Sequence, residues 1–120
     1  MSYPPQGSGG SSGEVFVELS GSDNTTHAAQ GGTDGAWVVW DLGGIVPSKT
    51  VSVLVNIHKL GASDQCGARK SGSSADRKIY ITKDGSASLI TEVGSNRKIE
   101  IEADDTSDGD VFSIVGYRSK

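Results

Sequence analysis

The stretch Thr50-Val51-Ser52-Val53-Leu54-Val55-Asn56-Ile57-His58-Lys59 decides the fold class. Val51, Val53, Val55 and Ile57 fall on one face of an extended chain, and Ser52, Asn56 and His58 share the other with Leu54. This two-residue period is that of a half-buried antiparallel strand. Upstream, Ala36-Trp37-Val38-Val39-Trp40-Asp41-Leu42 is rich in aromatic and β-branched residues and predicts another strand. Residues 14–19 predict a first short strand, and Thr25 to Ala28 a minor one. Downstream, strands are expected over Gln65 to Lys70, Arg77 to Thr82, Ala87 to Val93, Lys98 to Ala103 and Val111 to Arg118. In the last of these, Phe112 and Ile114 are expected on one side, Val115 and Tyr117 on the other.

Asp84-Gly85, Gly94-Ser95-Asn96 and Asp108-Gly109 supply turns between these segments. About eight short strands predict an all-β fold, an antiparallel β-sandwich, jelly-roll-like, with an immunoglobulin-like sandwich as the second topology. No segment of ten residues carries a helical period. Composition agrees: glycine contributes 17 residues and serine 18, so the two make up 35 of 120. Glycine costs about 1 kcal/mol in a helix interior, but provides the positive φ of tight turns. The length suits one domain, which buries roughly two-thirds of its unfolded surface.

Residues 14–120 form this single domain, and residues 1–13 (MSYPPQGSGGSSG) are a flexible Gly/Ser-rich N-terminal arm by composition. The arm reads either as a tail without a partner or as a docking element anchored by Tyr3, Pro4 and Pro5. It has neither the charged nor the apolar region of a signal peptide, and no stretch approaches a membrane span. Assembly in a cytoplasm is therefore expected, with no membrane partner. The net charge of −4 disfavours a nucleic-acid partner. Basic residues gather between Asp64 and Lys83, and six acidic ones between Glu100 and Asp110. Such patches suit either solvated loops or pairing between copies. Cys66 is the only cysteine, so no intrachain disulfide can form.

Trp37 and Trp40, three apart, point to opposite faces of their strand. Trp40 groups with Val38 and Leu42 as core. Trp37 is expected outside, either partly buried under a loop, at a subunit contact, or as a sugar-stacking platform. Asp104, Asp108 and Asp110 are weak candidates for calcium, because the EF-hand pattern fails: Thr106 and Val115 stand where ligands belong. His27, His58 and Cys66 lack zinc spacing, so no metal and no cofactor are expected. No nucleophile elbow or phosphate loop is present, and no catalytic residue is expected.

The stretch Cys66 to Arg77 has the form G-x-R-x-x-G-S-S-x-x-R, and a closing Val115-Gly116-Tyr117 follows further on. Over Trp37 to Tyr117 the chain resembles a small β-sandwich domain of tailed-bacteriophage virion proteins, both capsid-decorating and tail-associated. The resemblance implies a non-enzymatic virion structural protein. Its partners would be the major capsid or tail protein and further copies of itself, with a trimer favoured. Arg69 and Arg77 would bind carboxylates, either as a clamp within the chain or across a subunit contact. The alternative is a receptor- or carbohydrate-binding module of a tail fibre or lectin-like protein, with a surface glycan as ligand.

Overall fold

The computed structural model describes residues 15–94 and 96–120. The expected arm, with Tyr3, Pro4 and Pro5, lies outside the described residues. Among the described residues nine strands form: β1 (Val15–Glu18), β2 (Asn24–Thr26), β3 (Val38–Asp41), β4 (Thr50–His58), β5 (Asp64–Lys70), β6 (Lys78–Ile81), β7 (Ser86–Glu92), β8 (Lys98–Ala103) and β9 (Val111–Ser119). Two 3₁₀ turns, Ala28–Gln30 and Thr106–Asp108, are the helical elements among the described residues. No helix there is long and apolar enough to cross a membrane.

The strands make two antiparallel sheets, one ordered β1-β9-β4-β7 and the other β3-β8-β5-β6. The short β2 also pairs with β9, on the edge that β1 occupies further along. The nested pairs β1:β9, β3:β8, β4:β7 and β5:β6 are those of one long hairpin, and the contacts β4:β9 and β5:β8 wind it into a double layer. That connectivity is the jelly roll. Between the layers lie Trp40, Leu42, Val53, Val55, Ile57, Cys66, Ala68, Ile81, Ile99, Ile101, Phe112 and Ile114, all buried.

The expected alternation holds for most of β4, where Val53, Val55 and Ile57 face the core. Two register shifts alter it locally. Leu54 pairs with Gly116 and Val55 with Ile114, so Val115 is an extra residue in β9. Such a bulge reverses the side-chain phase beyond it. Tyr117 therefore pairs with Val53 and packs against the core, rather than lying opposite Phe112 and Ile114 as expected. The shift between Thr50 and Ser52 likewise buries Thr50 and leaves Val51 half-buried.

Candidate functional site

The outer face of the first sheet carries an apolar strip. Cross-strand register lines up Phe16 with Arg118 on β1:β9, Leu54 with Gly116 on β4:β9, and Leu54 with Ile90 on β4:β7. Phe16 is 52% exposed and Ile90 62%. With Ser52, Leu54 and Arg118 they line a shallow groove of about 70 Å³. On its other side Ile90 borders a wider groove of about 340 Å³, with Glu92, Lys70, Ser73 and Arg77. An apolar strip thus runs into a basic rim that includes Arg77, a residue singled out from sequence. Phe16, Leu54 and Ile90 were not, because a lone apolar residue on the polar phase of a strand is common.

Trp37 and Arg69 meet on the outer face of the second sheet. Trp37 immediately precedes β3, and the register Val38↔Ile101 and Gly67↔Glu102 puts it in one row with Glu102 and Gly67. Its ring reaches across that row: a Cβ on Gly67 would stand 2.9 Å from Trp37 Cη2. The Arg69 guanidinium lies 4.1 Å from the ring centroid, a cation–π contact. Arg69 Nε also donates to Glu100 Oε1 at 2.7 Å, and its Nη1 donates to the Ala75 carbonyl at 3.0 Å. Glu100 Oε2 accepts from the Gly72 amide at 2.9 Å, which fastens the 71–77 loop onto the sheet. Burial opposes the charge on Glu100, but the Gly72 amide and Arg69 hold its pKa below the ordinary value. Trp37 is half-buried in this arrangement.

Glu102, in the same row, is fully buried, and among the described residues neither carboxyl oxygen has a hydrogen-bond partner. Burial and the neighbouring Asp104 push its pKa up to about 8.

At one end of the core lies a buried charged cluster. The Lys59 side chain is wholly enclosed, and its Nζ is 2.7 Å from Asp110 Oδ2, 3.3 Å from Asp108 Oδ2 and in direct contact with Asp64 Oδ1. Asp110 Oδ1 accepts from the Leu60 amide at 2.8 Å. The Cys66 thiol, 3.8 Å from Nζ, donates to Asp110 Oδ2 at 3.4 Å. Burial alone lowers the Lys59 pKa, yet Asp110 and Asp64 more than reverse this and keep the amine protonated. Burial, then the charge of Asp110, pushes the Cys66 thiol well up. For Asp110 burial is outweighed by Lys59 and the Leu60 amide, and its pKa is lowered.

Asp64, Cys66 and Asp110 offer ligand atoms within 4.8 Å of one another. Lys59 Nζ touches all three and supplies the positive charge there. Of the weak calcium candidates, Asp108 and Asp110 are committed to Lys59, whereas Asp104 accepts from the Gln65 amide at 3.3 Å. His27 is buried too, its Nε2 donating to the Ala36 carbonyl at 2.7 Å and its Nδ1 2.8 Å from Thr106 Oγ1. A carbonyl only accepts, so Nε2 carries a proton. His58 is exposed at the end of β4. The basic and acidic runs of the sequence, on the adjacent strands β5 and β8, meet within the chain through Arg69 and Glu100.

No known protein family, curated protein or solved structure matches the chain in sequence or structure comparison.

Proposed function

We propose that the chain is a non-enzymatic structural protein of a bacteriophage virion, a decoration of the head surface. It docks on the major capsid protein and on its own copies through the outer face of the β1-β9-β4-β7 sheet. The observation that carries the docking face is the exposed pair Phe16 and Ile90 on either side of Leu54, with Lys70 and Arg77 beyond. A contiguous exposed apolar strip with a polar rim is characteristic of an interaction surface. The virion setting rests on the resemblance of the Cys66–Arg77 stretch. The alternative carbohydrate-binding role would use the ring of Tyr80, 64% exposed, rather than Trp37, whose ring carries the Arg69 guanidinium.

Light scattering on the full chain and on a Phe16→Ser/Ile90→Ser double variant tests this reading, together with cosedimentation with particles of the cognate capsid protein. A closed oligomer and particle binding are expected for the wild type, with both lost in the variant while its circular dichroism is unchanged. Undiminished binding by the variant would remove the sheet face from the interface, and a wild-type chain that neither associates nor cosediments would overturn the reading.

A further inference from the structure

We propose that Lys59 and Asp64 are joined by an isopeptide bond between Nζ and Cγ, with Asp110 as the proton relay. The geometry is that of a condensation site. The amine of Lys59, the residue after β4, is enclosed completely and lies directly against the Asp64 carboxyl at the start of β5. Asp64 Oδ1 is buried and, among the described residues, takes no hydrogen bond from any other group. The third component is Asp110, whose Oδ2 is 2.7 Å from Nζ and whose Oδ1 is pinned by the Leu60 amide, so it is fixed at the reacting nitrogen. Ordinary surface ion pairs have none of these features.

The reaction balances without an oxidant or a cofactor. It starts from the ammonium of Lys59 and the carboxylate of Asp64. A proton passes from Nζ to the Asp64 carboxylate, giving the neutral amine and acid. The amine lone pair attacks Cγ, and Asp110 takes a second proton from nitrogen. Asp110 returns it to the departing oxygen, the C–O bond breaks, and one water leaves. The products are the amide and water, and Asp110 is a carboxylate again.

Enclosure holds the amine and the carboxyl in contact, which favours their condensation. The amide removes one charge of each sign, with the desolvation each carries, at the expense of the ion pairs that hold the ammonium. Three carboxylates surround the single ammonium, so Asp108 and Asp110 remain after the bond forms. Asp110 then accepts from the new amide N–H. The raised pKa of Lys59 belongs to the uncondensed pair, since the amide nitrogen of the product does not titrate.

Mass spectrometry of the unfolded, full-length protein tests the proposal. Trypsin normally cuts after Lys59 and would divide residues 50–69 in two. The expected result is one uncut 50–69 peptide, lighter than its sequence by one water, with the loss absent from Lys59→Met and Asp64→Ala. Asp34, Asp84 and Asp108 each precede glycine and can expel water as succinimides, so the position of the loss decides. Cleavage after Lys59 with both fragments at sequence mass would overturn the proposal. So would a branched peptide joining Lys59 to Asp110. Asp110→Asn is expected to abolish the bond, and bond formation at wild-type yield in that variant would overturn the relay. The wild-type result stands by itself even where a variant does not fold.

Discussion

The ring of Phe16 rests directly on the backbone of Gly116, where a Cβ would lie 2.5 Å from Phe16 Cζ. The two residues sit on neighbouring strands, Glu18 being the direct partner of Gly116. Any larger residue at 116 must lift the ring off the sheet. Gly116→Ala is therefore expected to displace the ring at a cost below about 1 kcal/mol, because the far end of a half-exposed side chain can swing aside and the Val17 carbonyl, at 3.1 Å, is the firmer contact. It should also raise the exposure of Phe16. Chemical denaturation measures the first, and loss of docking with retained fold would separate the ring's position from overall stability.

Gly67 is a stricter case. A Cβ there meets Trp37 and, closer still, the backbone carbonyl of Arg77, which cannot rotate away. Gly67→Ala is expected to cost more than about 2 kcal/mol. Tryptophan emission should shift to the red as Trp37 leaves the sheet. A melting temperature and emission maximum equal to wild type would show that the 71–77 loop yields without cost.

Arg69 holds that loop through Glu100 and Ala75. Both partners of the ion pair are mostly buried, with side chains 15% and 14% exposed, so it is less screened than a surface pair. Arg69→Met removes the charge and keeps much of the stem. A loss of about 1.5–3 kcal/mol is expected, the scale of charge-assisted hydrogen bonds. Limited proteolysis should then cut within 71–77, and an uncut loop would assign its order to other contacts.

Glu102 gives the fold a pH dependence of definite sign. Its folded pKa, about 8, exceeds the ordinary 4.5, so the native state holds the proton more tightly than the unfolded chain. The stabilisation is complete below about 4.5 and declines as pH rises, being lost once pH passes about 8. Glu102→Gln should flatten the melting temperature between pH 5 and about 9 and stabilise the protein by about 1–3 kcal/mol at the alkaline end. A wild-type melting temperature that rises across this interval, with the variant parallel to it, would count against the assignment.

Much of the architecture is legible along the chain. The Thr50–Lys59 alternation anticipates that Val53, Val55 and Ile57 of β4 enter the core, though not the exchange of Val51 for Thr50, and Trp40 with Val38 and Leu42 was separable from Trp37 by parity alone. Lys59 continues the inward phase of Val55 and Ile57, a signal for the buried amine that the sequence reading passed over. A lysine on a core phase usually ends in solvent. Here Asp110, far along the chain, is what keeps it inside.

The sequence by itself determined an all-β chain of short strands with glycine-rich turns, because periodicity and turn chemistry act over a few residues. Tertiary structure alone decided which of those residues meet. The β4:β9 register inserts Val115 as a bulge and returns Tyr117 to the core. The β5:β8 register places Glu102 beside Gly67 and Arg69 beside Glu100. Lys59, Asp64 and Asp110 converge only when β4, β5 and β9 are wound together. The physical reason is that alternation assigns a side chain to a face of its strand, whereas its neighbours across the sheet are set by long-range pairing.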